Sequence, residues 1–85
     1  MSETTILSVA SIVTAGITMG LGSIGPALAE GRAVASALDA IARQPEAASL
    51  TTRTLFVGVA LIESTAIYCL VISLILLFAN PLLPG

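Results

Sequence analysis

Two long apolar runs, separated by a short polar stretch, constrain this chain more than any other feature of its sequence. The first covers residues 6–29 and the second covers residues 55–79, where Glu63 is the only charged residue. Each run exceeds the roughly 20 residues that a helix needs to cross a bilayer core of about 30 Å. The sequence therefore predicts an all-α membrane protein whose two transmembrane helices form a hairpin.

Composition supports this class. Hydrophobic residues make up 56% of the chain and charged residues 9%, and the mean hydropathy is +1.08. A soluble domain usually carries about 25% charged residues, so lipid or protein must cover most of this surface. The net charge of −2 is too small to indicate a nucleic-acid partner. The sequence contains no nucleotide-binding loop, which predicts a chain that is not itself an enzyme.

The 85 residues form one unit, with helix 1 at about 4–43, a polar loop at about 43–46 and helix 2 at about 46–79. Pro45 disfavours helix at Gln44 and suits the first turn of a new helix. All three Arg residues flank the loop. The positive-inside rule therefore predicts a cytoplasmic loop, with both termini on the outer side of a bacterial inner (plasma) membrane.

Small residues recur every four positions along helix 1, in two neighbouring stripes. The stripes are Ser23-Ala27-Gly31-Ala35 and Gly25-Ala29-Ala33-Ala37. Small residues let helix backbones approach closely in lipid. Two adjacent stripes favour close neighbours on more than one side, as in a tightly curved homo-oligomeric ring, although small residues are also common in membrane helices generally.

Glu63 lies near the middle of helix 2, where a charge costs on the order of 2.5–3.5 kcal/mol. The Glu63 carboxyl could bind an ion, or it could stay protonated and form a structural hydrogen bond between helices. Its neighbours favour ion binding. Ser64 and Tyr68 share a helix face, and we expect the Thr65 hydroxyl to bond back to the Leu61 carbonyl. Such an all-oxygen shell suits a hard cation.

A second acid, Glu30, lies on helix 1. Counted from the loop, Glu30 is offset from Glu63 by about four residues, or ~6 Å, which long side chains can bridge. Two carboxylates in one site cannot both ionise cheaply. One carboxylate, one carboxylic acid and one Na⁺ sum to zero charge, so we expect one acid to keep its proton while Na⁺ is bound.

Nearly the whole chain resembles the c subunit of the rotary F-type ATP synthases. The matching segments are Ser23-Ile24-Gly25-Pro26 in a small-residue-rich helix, the loop Ala42-Arg43-Gln44-Pro45-Glu46-Ala47, the glutamate in the middle of helix 2, and the ending Leu76-Leu77-Phe78-Ala79-Asn80-Pro81.

The resemblance implies a ring of identical hairpins with helix 1 inside and helix 2 outside. Glu63 would carry the ion past the a subunit of the stator, and Arg43, Gln44 and Pro45 would contact the central stalk. In the sodium-type rings of this family, Na⁺ is bound by residues that would correspond to the Leu61 carbonyl, Glu63 and Ser64 of this chain. Thr65 and Tyr68 would support them.

The chain departs from the family pattern in three places. Glu30 replaces a glutamine of the family pattern. In this the chain resembles the divergent N-type branch, whose subunits carry two carboxylates. The four-glycine stripe reads Gly25, Ala27, Ala29, Gly31, and the two extra methyl groups predict a wider ring with more copies of the chain. Arg32 lies unusually close to the membrane, and the sequence leaves open whether it reaches the cytoplasm or contacts lipid inside the ring.

These features predict the Na⁺-carrying component of the membrane rotor ring. The nearer alternative is the same ring carrying H⁺. The more distant alternative is a structural or pore-forming membrane hairpin with no rotary role.

Overall fold

The computed structural model of this protein describes residues 2–83, which form three α-helices and one short 3-10 helix. The elements in chain order are α1 at Glu3–Gly22, α2 at Ile24–Arg43, the 3-10 helix at Pro45–Ala47 and α3 at Ala48–Phe78. Helices α1 and α2 follow each other along one side of the hairpin, and α3 runs back along the other side and contacts both of them. The molecule measures 64 × 17 × 10 Å. The prediction of an all-α hairpin is confirmed.

The first membrane-spanning segment is interrupted at Ser23, where the sequence predicts one continuous helix. Pro26 has no N–H to donate to the Gly22 carbonyl, and its ring crowds that carbonyl. The interruption is local, because Ser23 N still donates to Met19 O at 3.2 Å and Ala27 N to Ser23 O at 3.0 Å. The Ser23 hydroxyl also donates to Met19 O, at 2.6 Å.

Pro45 defines the turn between the two sides of the hairpin. Gln44 leaves the helical region at φ −134° and ψ 76°, as expected for a residue that precedes proline. Ala47 N then donates to Gln44 O at 2.9 Å. On the last turn of α2, Arg43 and Asp39 form an ion pair at 3.3 Å. Both side chains are exposed, so this pair contributes only about 0.3–0.5 kcal/mol.

At the end away from the loop, a polar clamp of Ser11, Ser73 and Asn80 joins α1 to the end of α3. Ser73 Oγ donates to the Ala15 carbonyl at 3.2 Å. Asn80 Nδ2 donates to Ser11 Oγ at 2.6 Å. Both serines are buried. Hydrogen bonds between membrane helices contribute about 0.6–2 kcal/mol each, so the clamp stabilises this end of the hairpin.

In the middle of the hairpin, Gly22 lies against Cys69. A Cβ atom added to Gly22 would stand 2.6 Å from Cys69 Sγ and 3.3 Å from its Cβ. A Cβ atom does not pack that closely against an unbonded sulfur atom, so the approach of the two helices here depends on the missing side chain. Cys69 therefore acts as a packing residue.

The loop half of the hairpin is packed less closely. A groove of about 410 Å³ runs between α2 and α3, lined in part by the small residues Ala33, Ala37 and Gly58. The hairpin is thus closely joined at its open end and loosely packed towards its loop.

Most apolar side chains of the described residues point outwards. Only Ala15 and Ala37 are buried hydrophobic residues in this part of the chain. The segments Glu3–Arg43 and Pro45–Phe78 are both long and apolar enough to cross a membrane. The hairpin has almost no core of its own, and lipid or further copies must cover its surface.

Replacing Gly22 with alanine should lower the melting temperature of the protein purified in detergent. The added methyl group forces the two helices apart at Cys69, and overpacking of this kind costs about 1–3 kcal/mol. The double variant Gly22→Ala/Cys69→Ala should recover most of the loss, because it removes the sulfur atom. Gly20→Ala is the matched control, since its Cβ would meet nothing within 4 Å. A failure of the double variant to recover would contradict the proposed contact.

Candidate ion-binding site

The structure brings the two membrane acids, Glu30 and Glu63, together. Along α2, the less exposed residues Pro26, Glu30, Ala33 and Ala37 recur every three or four positions and mark the face turned to α3. The Glu30 carboxyl on this face lies close enough to the Glu63 carboxyl of α3 for the two groups to interact. The expected offset of about four residues along the axis does not keep them apart.

One oxygen of this pair has no partner. Oε1 of Glu30 is buried and receives no hydrogen bond from the described residues. A buried carboxyl oxygen left without a hydrogen bond or a cation is costly, on the order of 1–3 kcal/mol. The pair therefore offers an oxygen that a proton or a cation would stabilise.

The remaining proposed ligands of α3 lie elsewhere around the helix. Successive residues of an α-helix are about 100° apart. By this measure Ser64, Thr65, Tyr68 and Leu61 lie about 100–200° around α3 from Glu63. The Leu61 and Tyr68 side chains are 69% and 68% exposed on the outer surface. Within one chain, the carboxyl pair and the hydroxyl groups are two separate sets of candidate ligands, or candidate half-sites.

The expected back-bond of Thr65 to the Leu61 carbonyl does not appear among the hydrogen bonds of the described residues. The corresponding bond lies one residue earlier, where Ser64 Oγ donates to the Ala60 carbonyl at 3.0 Å. Both serine and threonine hydroxyls can bond to the carbonyl four residues back, and sequence spacing does not choose between adjacent candidates. This bond uses the Ser64 proton and leaves its oxygen lone pairs available as an acceptor.

The small residues proposed for ring packing flank the face that α2 turns to α3. Gly25, Ala27, Ala29 and Gly31 are all exposed. Gly25 and Ala29 lie to one side of that face, and Ala27 and Gly31 to the other. A Cβ added to Gly25 or Gly31 would meet nothing within 4 Å. Each hairpin therefore offers one small-residue surface to a neighbour on either side.

Two members of the predicted stripes turn inwards instead. Ala37 is buried and Ala33 lines the groove against α3. A spacing of four residues drifts by about 40° per step in a helix of 3.6 residues per turn. A stripe that starts on the side of α2 therefore reaches the α3 face after two or three steps.

The loop residues Arg43, Gln44 and Pro45 are exposed at the tip of the hairpin. Arg43 is 13 residues from Glu30, or about 20 Å along the helix. The structure thus separates the exposed tip from the carboxyl pair.

Sequence reasoning missed Gly22 and the polar clamp of Ser11, Ser73 and Asn80. Serine and asparagine in apolar segments are a usable signal, because their polar groups need partners in lipid. No comparable signal identifies Gly22 among the seven glycines of the chain.

Comparison with known proteins gives one consistent family. The family of the ATP synthase C subunit matches residues 13–76. The chain is 67% identical over 75 residues to the second ATP synthase c subunit of Cereibacter sphaeroides, covering 88% of this chain and 90% of that protein. It is 53% identical over 76 residues to the ATP synthase c subunit of Prochlorococcus marinus, covering 89% and 94%. It is 50% identical over 76 residues to the chloroplastic ATP synthase c subunit of Rhodomonas salina, covering 89% and 93%.

The contact between the two acids can be tested with a thiol crosslink. In a Cys69→Ala background, Glu30→Cys combined with Glu63→Cys should be joined within one chain by a short bifunctional thiol reagent. Mass spectrometry should find the product at the mass of a single chain. The control pair Arg32→Cys with Glu63→Cys should not react within the chain, since Arg32 lies on the far side of α2. Equal reaction of the two pairs, or chain-to-chain products alone, would count against the contact.

Proposed function

The chain belongs to the family of ATP synthase c subunits, and on this premise we propose that it carries Na⁺ across the membrane, one ion per copy. Members of this family are non-catalytic components of the ATP synthase and form its rotor ring. The family match extends over residues 13–76, which include both membrane acids.

The contact between Glu30 and Glu63 is the observation that carries the proposal. The two carboxyl groups lie together, and Oε1 of Glu30 is buried without a partner among the described residues. Carboxylate, hydroxyl and carbonyl oxygens are the ligands that hard cations prefer. The position beside Glu30 Oε1 suits Na⁺, with Glu63 as the principal ligand.

The second half-site completes the ligand shell from a neighbouring copy. Ser64 and the Leu61 carbonyl of one hairpin would face the carboxyl pair of the next, with Thr65 and Tyr68 in support. The small-residue surfaces of α2 favour this arrangement, since they allow copies to pack side by side. Under this proposal a single hairpin holds an incomplete site, and ion affinity appears only on assembly.

Charge balance determines how the loaded site crosses lipid. Two carboxylates and one Na⁺ leave a charge of −1, and an unpaired charge in the bilayer is costly. A single proton retained by the Glu30–Glu63 pair makes the loaded hairpin neutral. The hairpin can then rotate through lipid between ion uptake and ion release at the a subunit of the stator.

The same contact also supports a second candidate, in which the ring carries H⁺. Two adjacent carboxyl groups can share one proton with no cation present. The hydroxyl groups around α3 favour Na⁺, because a proton site needs only one carboxyl group and one acceptor. The replacement of the family's glutamine by Glu30 leads us to assign the chain to the N-type branch.

We place the loop in the cytoplasm and both termini on the outer side of a bacterial inner membrane. All three Arg residues lie at positions 32, 43 and 53, around the loop, and positive residues favour the cytoplasmic side. The exposed tip formed by Arg43, Gln44 and Pro45 would then contact the central stalk.

Labelling of Glu63 by a hydrophobic carbodiimide tests the ion, because the reagent requires the protonated acid. Rings are titrated with NaCl at several pH values, and the labelled fraction is measured by mass spectrometry. Na⁺ should protect Glu63, and less Na⁺ should be needed as the pH rises because fewer protons compete. A labelled fraction of Glu63 that does not change with Na⁺ at any pH would instead establish that the ring carries H⁺.

Glu30→Gln tests the shared proton in the same titration. Removing one acid should change the pH dependence of Na⁺ protection, since the variant pair has no second carboxyl to hold a proton. Glu46→Gln is the matched control, because Glu46 is an exposed acid in the loop. An unchanged profile in Glu30→Gln would exclude Glu30 from the site.

The small residues of α2 should set the number of copies in the ring. Ala27→Gly combined with Ala29→Gly removes two methyl groups between neighbours and should give rings with fewer copies, counted by native mass spectrometry. Ala42→Gly is the control for glycine substitution in this helix, since Ala42 is exposed near the loop and lies about 20 Å along α2 from Ala29. Rings of unchanged size in the double variant would contradict this role.

A further inference from the structure

We propose that Phe56 of one copy packs into the groove between α2 and α3 of the next copy in the ring. The groove lies on the loop side of the carboxyl pair. The inference uses the ring that this family forms and the orientation of neighbouring copies in the proposed function. It does not depend on which ion the ring carries.

The groove has room for a large side chain. It measures about 410 Å³, and Ala33, Ala37 and Gly58 line it with small groups. A Cβ added to Gly58 would meet nothing within 4 Å. Membrane helices are held together by close packing rather than by a hydrophobic drive, and unfilled space lowers stability in proportion to its volume. A ring therefore gains stability if a neighbouring copy fills the groove.

On α3 the groove lies on the flank that carries Leu61 and Thr65. Two of its lining residues, Thr54 and Gly58, are about 40° apart around the helix. Leu61 follows Thr54 by seven residues, and Thr65 follows Gly58 by seven. Seven residues return a side chain to within about 20° of its starting direction and advance it by about 10 Å. The groove is therefore in line with the second candidate half-site, about 10 Å closer to the loop.

Phe56 lies on the opposite flank of α3. It is two residues from Thr54 and two from Gly58, which places it about 200° around the helix from each of them. It precedes Glu63 by seven residues and so shares the direction of the Glu63 side chain. Its side chain is 72% exposed. A single hairpin thus leaves this aromatic side chain largely uncovered, on the flank of the carboxyl pair.

Ring symmetry brings Phe56 and the groove together. In a ring closed by rotation, each copy places one flank against the opposite flank of the next. All copies stand at the same height, and Phe56 is only about 3 Å along the axis from Thr54 and Gly58. The Phe56 side chain of one copy therefore meets the neighbouring groove at the height of that groove.

This contact continues the interface of the proposed ion site. The same rotation sets Glu63 of one copy opposite Leu61 and Thr65 of the next, and about 10 Å closer to the loop it sets Phe56 opposite the groove. Aromatic side chains bury about 150–250 Å² each and dominate the energetics of many interfaces. Phe56 is thus an apolar anchor of the ring.

Heat dissociation of purified rings tests this contact. Phe56→Ala rings should separate into single chains at a lower temperature than wild-type rings, measured by native mass spectrometry, because the groove is left empty. Phe78→Ala is the matched control. Phe78 is 81% exposed and lies about 33 Å along α3 from Phe56, so its replacement should leave the dissociation temperature unchanged.

A second substitution can fill the groove from within its own hairpin. Phe56→Ala/Gly58→Leu should recover most of the lost stability, because the new side chain at position 58 occupies the groove. Phe56→Ala/Val57→Leu is the control for added apolar bulk, since Val57 is 63% exposed and does not line the groove, and it should not recover. If Phe56→Ala rings do not assemble, the recovery of assembly by Gly58→Leu is measured instead.

Two results would overturn the proposal. One is a Phe56→Ala ring that dissociates at the wild-type temperature. The other is a Phe56→Ala/Gly58→Leu variant that recovers neither stability nor assembly.

A photoreactive benzophenone analogue of phenylalanine at position 56 locates the contact directly. Illumination of rings should link two chains, and peptide mass spectrometry should place the link within residues 50–58 of the second chain. The same analogue at position 78 should give no link to those residues. Links from position 56 to lipid or detergent alone would contradict the contact.

Carbodiimide labelling of the same rings separates this inference from the proposed function. Rings in which Na⁺ protects Glu63, but which are indifferent to Phe56→Ala, would overturn the packing contact alone. Rings that depend on Phe56, but label Glu63 to the same extent with and without Na⁺, would overturn the sodium proposal alone.

Discussion

The contact between Glu30 and Glu63 depends on how closely two helices approach in an environment that offers them no hydrophobic drive. Gly22 permits that approach, because a side chain there would overlap Cys69. The polar clamp fixes the register at the end away from the loop, through Asn80 and Ser11. Together these contacts align two acids from opposite sides of the hairpin. Without this alignment, each carboxyl would be an isolated charge in an apolar helix.

The candidate ligands for the ion are divided between two faces of the hairpin. The carboxyl pair and the Ser64 hydroxyl lie on different faces of α3, and under the proposed function neighbouring copies would bring them together. Gly25 and Gly31 leave open space on the two flanks of α2 where such copies can pack. Under the proposed function, assembly and ion binding would therefore depend on the same surface of the hairpin.

The two spans, the turn and the pairing of the acids could be predicted from sequence because each depends on a local rule. Hydropathy defines the spans, Pro45 determines the turn at Gln44, and counting from that turn brings Glu30 to within about four residues of the level of Glu63, or ~6 Å along the axis. The interruption at Ser23 was not predicted, although it follows from Pro26, which cannot donate to the Gly22 carbonyl. The bond from Ser64 to Ala60 was not predicted either, because spacing does not determine the choice between adjacent hydrogen-bonding partners. Likewise, the inward turn of Ala33 and Ala37 depends on the drift of a four-residue repeat.

The uneven joining of the two sides has a mechanical consequence. Hydrogen bonds and the Gly22–Cys69 contact hold the hairpin at its open end and middle, whereas a groove separates α2 from α3 towards the loop. A rod held firmly at one end and loosely at the other bends at the loose end. Load applied at Arg43, Gln44 and Pro45 would therefore flex the loop half first and leave the carboxyl pair in place. The hairpin would then act as a short spring, whose compliant part lies between the loop and the acids.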